Sequence, residues 1–215
     1  IRRFCEAIGV TKAEGTVEMG VLENSIRGHL DAVAPRRMAV LDPLKVVITN
    51  FPTDSTEVLQ AGNHPKNESL GTRELLLTRE VYIDRADFRE QANKKYKRLV
   101  LDGEVRLRNA YVIRCNEAIK DEIGNITELR CTYDPETLGR NPEGRKVRGV
   151  IHWVSAALGK KAEVRLYDRL FKSPEPGRTH DFHEDINPDS LRVLKDCVVE
   201  PSLAEGHVDE RFQFE

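Results

Sequence analysis

A change of sequence pattern at Pro35 constrains the fold of this chain more than any other single feature. Before it, apolar residues recur at helical spacing, first within residues 1–8 and again from Met19 to Val33. Proline cannot continue a helix, and it disfavours helical geometry in the residue before it, so the helical pattern has to end there. The sequence therefore predicts an N-terminal helical segment, residues 1–34, followed by a region of different character.

The region after Pro35 consists of short β-rich runs separated by turn residues, which is typical of barrels and sandwiches. The predicted strands are 38–41, 44–50, 75–83, 105–114, 126–133, 149–155, 162–171, 191–199 and 211–215. Residues 84–96 are predicted to be helical or to form a loop with a short helix. The chain is thus expected to be mainly β.

A turn at residues 122–125 lies between two of these runs and predicts a β-hairpin. Such a hairpin would bring Cys115 close to Cys131. The four cysteines lack the close pairs of zinc ribbons, and the first five residues lack the features of a secretory signal. Reduced thiols in a cytoplasmic protein are therefore expected.

Composition describes a globular protein and gives no overall sign of nucleic-acid binding. The 215 residues are 39% hydrophobic and 33% charged, no apolar run is long enough to cross a membrane, and the net charge is −2. The average hides a basic segment that contains only two acidic residues, Asp102 and Glu104. Its basic residues are Lys94, Lys95, Lys97, Arg98, Arg106, Arg108 and Arg114. A local basic surface on a near-neutral protein can bind phosphates.

Alternation along residues 105–114 would separate two faces if these residues formed one strand. The apolar side chains of Val105, Leu107, Tyr111 and Ile113 would lie on one face, and those of Arg106, Arg108 and Arg114 on the other. Arginine can bind phosphate or a guanine edge with two parallel hydrogen bonds and can stack on an exposed base. A solvated outer face and an RNA-binding face both fit this pattern.

Two further basic stretches have the same two interpretations. Arg36 and Arg37 follow Pro35 at the junction between the helical and β-rich parts. This stretch could be an ordinary linker with surface charges, or its rigid backbone could hold an arginine in a defined direction. Residues 145–148 follow a Pro/Gly loop and could form either a loop that contacts phosphate or a loop that only makes the surface more soluble.

Residues 180–185, which include His180 and His183, carry imidazoles and carboxylates that could bind a divalent ion. Their spacing is unspecific and they lie in a polar loop, so a solvated acidic loop is favoured over a metal site. The chain has no Gly-rich phosphate loop, nucleophile elbow or metalloprotease motif. No catalytic residue and no metal ligand are predicted.

Five segments carry a resemblance to a known family. They are APRRMAVLDP at 34–43, YIDRADFR at 82–89, the run from Tyr96 to Arg114, GVIHWVSA at 149–156 and FQFE at 212–215. Together they resemble the bacterial glutaminyl-tRNA synthetases, a class I family, over essentially the whole chain. The resemblance implies a fold of two antiparallel six-stranded β-barrels that follow a helical subdomain. Residues 1–34 would belong to the helical subdomain, about 45–148 to one barrel, and 35–44 with 149–215 to the other.

The resemblance also implies which functions belong to this chain and which belong to a longer parent protein. The parent would ligate glutamine to tRNA with ATP and Mg, using a catalytic domain upstream of Ile1. This chain would bind no cofactor and would not be an enzyme by itself. It would recognise the anticodon of glutamine-accepting tRNA, as part of a monomeric cytoplasmic protein without a membrane segment.

The family's RNA-binding positions carry over onto eight residues. They are Arg36, Lys95, Lys97, Arg98, Arg106, Arg108, Gln213 and Glu215. Arg36, Gln213 and Glu215 resemble the residues that hold the middle anticodon uridine. Lys97 and Arg98 match positions near the last anticodon base, and Arg106 and Arg108 match those near the first. Lys95 replaces a glutamine of the family, and a lysine can only donate hydrogen bonds where an amide can also accept.

Three alternatives remain open at the level of sequence. The first is the corresponding region of an archaeal or eukaryotic-type glutamyl-tRNA synthetase, which has a similar architecture. The second is a β-barrel that binds ribosomal RNA or protein. The third is a metal-dependent hydrolase built on His180 and His183.

Overall fold

The computed structural model describes residues 1–9, 12, 15–93 and 95–214. Lys94 of the basic segment and the predicted site residue Glu215 lie outside the described residues. The chain divides into two compact units. The first comprises Ile1–Pro35, Arg165–Val193 and Arg211–Gln213, and the second comprises mainly Arg36–Val164 and Leu194–Glu210.

The predicted helical segment is confirmed as two helices, α1 (Arg2–Ile8) and α2 (Met19–Val33). Helix α2 ends with the Ala34 N–H donating to the Leu30 carbonyl at 2.8 Å. Ala34 itself is extended, with ψ of 129°, as expected for a residue that precedes a proline. Within the described part of the chain, neither helix combines the length and the apolar character that crossing a membrane requires.

The rest of the chain is mainly β, as predicted. The strands are β1 (Arg36–Arg37), β2 (Ala39–Val40), β3 (Pro43–Ile48), β4 (Thr56–Gly62), β5 (Thr72–Thr78), β6 (Glu80–Asp84), β7 (Phe88–Arg89), β8 (Leu99–Val100), β9 (Glu104–Leu107), β10 (Val112–Lys120), β11 (Ile126–Asp134), β12 (Val150–Ile151), β13 (Val154–Ser155), β14 (Lys160–Tyr167), β15 (Leu191–Val199) and β16 (Gln213–Phe214). Short 3-10 helices occur at Glu68–Leu70, Arg85–Asp87, Pro135–Thr137, Phe182–Asp185 and Pro201–Glu205.

Seven of the described strands form one curled sheet, in the order β12-β9-β10-β11-β3-β6-β13. Its two edge strands, β12 and β13, are separated in sequence only by His152 and Trp153. Because a trans-linked chain advances at most about 3.6 Å per residue, the two edges have to lie close together. The sheet therefore forms a half-barrel around its core.

The sheet is mixed, which corrects the prediction of purely antiparallel barrels. Strand β11 runs parallel to β3, with Leu129 opposite Val46, and β12 runs parallel to β9. Parallel neighbours require long crossover connections, and periodicity along one strand carries no information about the direction of its neighbour.

The core of the second unit lies on the concave side of this sheet. Side chains alternate between the two faces of a strand, and in β3 this alternation buries Leu44, Val46 and Ile48 in the core. Trp153, between the two edge strands, is 1% exposed. Burying such apolar side chains contributes about 1.5–3 kcal/mol each, which favours curling over a flat sheet.

The hairpin predicted around residues 122–125 is confirmed. Strands β10 and β11 pair antiparallel with Cys115 directly opposite Cys131, and both are free thiols. The turn is closed by the Asp121 carboxylate, which accepts hydrogen bonds from the Ile123 and Asn125 N–H groups.

Several predicted strands are shorter than expected or divided. The run 75–83 is two strands, because β5 pairs with β4 while β6 pairs with β3. The run 149–155 is likewise divided into β12 and β13. Strand β4 was not predicted, because the polar residues Thr56, Glu57 and Gln60 interrupt its apolar pattern. Among the described residues of 84–96, a short 3-10 helix occurs at Arg85–Asp87. The two divisions arise from pairing with different strands, which local pattern does not encode.

Candidate nucleic-acid interface

The basic run 105–114 is a tight hairpin and not the single strand predicted from alternation. Strand β9 ends at Leu107 and β10 begins at Val112, with Arg106 opposite Val112. The reversal is possible because Asn109 adopts a φ of +56°, a left-handed geometry that asparagine tolerates better than most residues. The predicted separation of faces nevertheless persists, since Val105, Leu107, Tyr111 and Ile113 are all buried.

Arg106 is half-buried, and its guanidinium binds backbone. It donates to the carbonyls of Ala110 at 2.9 Å, Thr137 at 2.6 Å and Arg140 at 2.5 Å. Three of the five N–H groups of the guanidinium are therefore used to connect the β9–β10 hairpin to residues 137–140. Arg106 lines a cavity of about 600 Å³ together with residues of β4 and of this turn.

Arg108 is tied to the connection between the two edge strands. Its backbone N–H donates to the Ile151 carbonyl at 2.9 Å, and its own carbonyl accepts from the Trp153 indole Nε1 at 2.9 Å. Because Trp153 is buried, it holds the end of the hairpin against segment 149–153. Burial of an indole usually requires such a partner for its N–H.

Lys97 reaches the same segment through its backbone. A Cβ atom placed on Gly149 would lie 1.9 Å from the Lys97 carbonyl oxygen, so that only glycine permits this approach. The Gly149 carbonyl in turn accepts the Arg106 N–H at 3.0 Å. The side chain of Lys97 is exposed, and so is that of Lys95, whose N–H donates to the Asn93 side chain at 3.0 Å.

Arg98 is the exposed member of an ion pair whose acidic partner is buried. Its Nε lies 3.1 Å from Asp87 Oδ1, with side-chain exposures of 53% and 6%. His152, from segment 149–153, lies near the same carboxylate, with Nδ1 3.8 Å from Asp87 Oδ2 and Nε2 3.9 Å from Asp84 Oδ2. Burial raises the pKa of Asp87 above its ordinary value, and the charges of Arg98 and His152 oppose this rise.

Four predicted site residues are thus brought together, namely Lys97, Arg98, Arg106 and Arg108, which we call the basic cluster. Each is connected to segment 149–153, either directly or through Asp87 and His152. Nearby, Tyr96 donates to the Ala86 carbonyl at 3.1 Å and lies under the Arg89 guanidinium at 4.7 Å. Burial raises the pKa of Tyr96 above the ordinary value of a tyrosine.

Arg36 belongs to a different group of residues, built around Glu200. Arg36 is 5% exposed, and its backbone N–H donates to the Asn63 carbonyl at 2.7 Å. Glu200 accepts from Arg73 Nε at 2.7 Å and from the Met38 N–H at 3.0 Å, and it lies 3.5 Å from Arg37 Nε.

Arg37 fastens this group to the Arg36 backbone. Arg37 Nη1 donates to the Arg36 carbonyl at 2.8 Å and to Asn63 Oδ1 at 2.9 Å. Burial lowers the pKa of Arg37, as does the neighbouring charge of Arg73.

Gln213 and Glu215 are the remaining predicted site residues. Gln213 is half-buried, and its N–H donates to the Pro35 carbonyl at 2.9 Å. Glu215 is not described. In the loop 145–148, Arg145 forms ion pairs with Glu104 at 2.9 Å and Asp134 at 2.5 Å. Arg145 thereby lowers the pKa of Asp134, which the backbone N–H of Glu136 lowers further.

The histidine-rich loop does not assemble a metal site in the described part of the chain. His180 Nε2 pairs with Asp185 at 3.1 Å, and His183 Nδ1 pairs with Asp181 at 2.7 Å. The two imidazoles therefore have separate carboxylate partners within the loop.

Three residues that matter to these groups were not singled out from the sequence, namely Asp87, Gly149 and Glu200. Asp87 and Gly149 lie inside the segments 82–89 and 149–156, whose resemblance to a family was the only signal that could have pointed to them. Glu200 lies outside every such segment. A single acidic residue at the end of a strand carries no pattern that indicates burial.

Two comparisons with known proteins indicate the same kind of function as the basic cluster does. Two family models match, both described as tRNA synthetases class I (E and Q), anti-codon binding domain, at residues 34–134 and 150–215. The chain is also 59% identical over 218 residues to a glutamine–tRNA ligase of Pseudomonas syringae pv. tomato, covering 100% of this chain and 38% of that protein. It is 60% identical over 216 residues to a glutamine–tRNA ligase of Photobacterium profundum, covering 100% of this chain and 39% of the relative.

The chain therefore spans about two fifths of the length of the curated relatives that it matches. The family matches extend over both the β-sheet that carries the basic cluster and the C-terminal strands. On these matches, the chain belongs to the anticodon-binding domains of the class I tRNA synthetases of the E and Q type.

Proposed function

We propose that this chain binds the anticodon of glutamine-accepting tRNA as part of a longer glutamine–tRNA ligase. The observation that supports this most directly is the convergence of Lys97, Arg98, Arg106 and Arg108 on segment 149–153. The similar proteins are named glutamine–tRNA ligases, which favours glutamine over the glutamyl alternative. The longer protein would join glutamine to tRNA with ATP and Mg, and those cofactors would bind outside this chain.

The chemistry of the site suits single-stranded RNA. Anticodon bases can be unstacked and turned outward, so that hydrogen bonds read their edges while cationic side chains hold the phosphates. Lys97 and Arg98 are exposed and suit such contacts near the last anticodon base. Arg106 and Arg108 are half-buried and more firmly built into the hairpin, and we assign them to the first base.

Other parts of the assignment are carried over from the family resemblance. Arg36, Gln213 and Glu215 stay predicted contacts of the middle uridine, and Lys95 stays a predicted RNA contact. We also propose that residues from about 45 to 148 form one six-stranded barrel and that 35–44 with 149–215 form the other. Strands β12 and β13 would then pair across the boundary between them. A monomeric, cytoplasmic protein completes the proposal.

Discrimination between anticodons tests the proposed function. The chain is expected to bind glutamine-accepting tRNA more tightly than the same tRNA with one anticodon nucleotide replaced. Each good two-pronged base contact contributes about 1–3 kcal/mol, equivalent to about a 5- to 150-fold change in Kd. Kd values measured by fluorescence anisotropy for the native tRNA and for three single-nucleotide variants would check this. Equal affinity for all four RNAs would refute anticodon recognition.

Replacing Lys97 by Ala is expected to weaken binding to every tRNA by a similar factor, because its exposed ammonium group suits a phosphate contact. The slope of log K against log salt concentration should become shallower by about 0.7–1. The matched control is Lys161→Ala, which removes an exposed lysine of β14 outside the basic cluster. A Lys97 variant that keeps the wild-type slope would contradict the phosphate contact.

A further inference from the structure

Beneath the exposed Arg98 lies a carboxylate that the anticodon assignment does not use. Asp87 has a side chain only 6% exposed, and its Oδ1 lies 3.1 Å from Arg98 Nε. A buried carboxylate is costly unless it is paired, so this contact is strongly favoured in the folded chain. The backbones are also joined here, since Phe88 of β7 pairs with Leu99 of β8.

Among the described residues, the other charged groups that act on Asp87 are His152 and Asp84. His152 Nδ1 lies 3.8 Å from Oδ2, and Asp84 repels the carboxylate. Arg98 is closer than His152, and it is also the partner that extends to solvent. In the described part of the chain, His152 Nε2 is buried without a hydrogen-bond partner, and it lies 3.9 Å from Asp84 Oδ2.

We propose that Asp87 is a positioning residue for RNA binding, which fixes Arg98 in its binding geometry before the tRNA arrives. The proposal rests on the proposed anticodon-binding function. The Arg98 Nε is paired with the carboxylate, which leaves the two Nη groups of the guanidinium fork to bind a phosphate or a base edge. Holding a long side chain in advance lowers the conformational entropy lost on binding.

A double-mutant cycle on the full chain tests the proposal. The variants are Asp87→Asn, Arg98→Ala and the two combined, each titrated with glutamine-accepting tRNA. Asp87→Asn should weaken binding about fivefold in the wild-type background. This is the cost expected when the Arg98 side chain is no longer held in advance and has to become ordered on binding. In the Arg98→Ala background the same substitution should change Kd by less than about twofold. The control Asp134→Asn, which removes one of the two carboxylate partners of Arg145, should show no coupling to Arg98.

A second measurement needs no RNA. In ¹⁵N NMR spectra, the Arg98 Nε–H should be ordered in the wild-type chain and mobile in Asp87→Asn, while circular dichroism confirms that both are folded. If Asp87→Asn does not fold, Arg98→Lys replaces it, because lysine keeps the charge and lacks the Nε contact; a fivefold loss of tRNA affinity is then expected.

The outcomes separate the two proposals. An Arg98 Nε–H that stays equally ordered in Asp87→Asn, equal losses in both backgrounds, or an Arg98→Lys variant that binds as the wild type does would each overturn the positioning role. A wild-type chain that does not distinguish anticodons would overturn the proposed function, and the NMR comparison would still decide whether Asp87 positions Arg98.

Discussion

Replacing Glu200 by Ala is expected to lower the free energy of unfolding by about 3–5 kcal/mol, the cost of removing one partner from a buried ion pair. The side chains of Glu200 and Arg73 are 4% and 5% exposed. The same carboxylate also accepts from the Met38 N–H and the Ser202 hydroxyl, and it lies 3.5 Å from Arg37. Its loss leaves the buried guanidinium of Arg73 without the carboxylate that it pairs with. Urea denaturation followed by tryptophan fluorescence measures the change.

The control for this prediction is Glu136→Ala. That residue pairs with Arg140 at the surface, with side-chain exposures of 79% and 64%, so its loss should change stability by less than about 1 kcal/mol. Combining Glu200→Ala with Arg73→Ala should cost less than the sum of the two single changes, because fewer buried charges are then unpaired. A Glu200 variant as stable as the Glu136 variant would show that the ion pair contributes little.

Replacing Gly149 by Ala is expected to weaken tRNA binding about tenfold, although the change removes no charge. The new Cβ would lie 1.9 Å from the Lys97 carbonyl oxygen and 2.9 Å from its carbonyl carbon, and both are backbone atoms that cannot swing aside. The backbone of Lys97 would have to move, and small displacements of binding groups can cost one to two orders of magnitude. Stability should also fall by about 1–3 kcal/mol through overpacking.

Anisotropy titrations at a temperature where both proteins are folded would measure this effect. Gly20→Ala serves as the matched control, because no atom lies within 4 Å of the added Cβ and the position is helical. That variant should bind tRNA within about twofold of the wild type, and its stability should be equal or higher by up to about 1 kcal/mol. If Gly149→Ala binds tRNA as tightly as Gly20→Ala does, the contact between Gly149 and Lys97 does not position the basic cluster.

Local sequence features predicted the elements that depend on nearby residues. The helices before Pro35, the hairpin that places Cys115 opposite Cys131, and strand β15 at Leu191–Val199 were all predicted correctly. Each depends on periodicity, on a proline or on a turn, and these act within a few residues of chain. The division of 105–114 was missed because apolar residues keep the same alternate positions on both sides of Asn109, where the chain reverses.

The sequence by itself determined the mainly β character, the boundary at Pro35, the basic residues and, through extended motifs, the family. Only the tertiary structure decided that Lys97 meets Gly149, that Asp87 pairs with Arg98 under His152, and that Arg73 meets Glu200 across 127 positions of chain. The physical reason is that helix and turn preferences act locally along the backbone. The partner of a buried charge or the neighbour of a glycine depends instead on strand order and on the curling of the sheet.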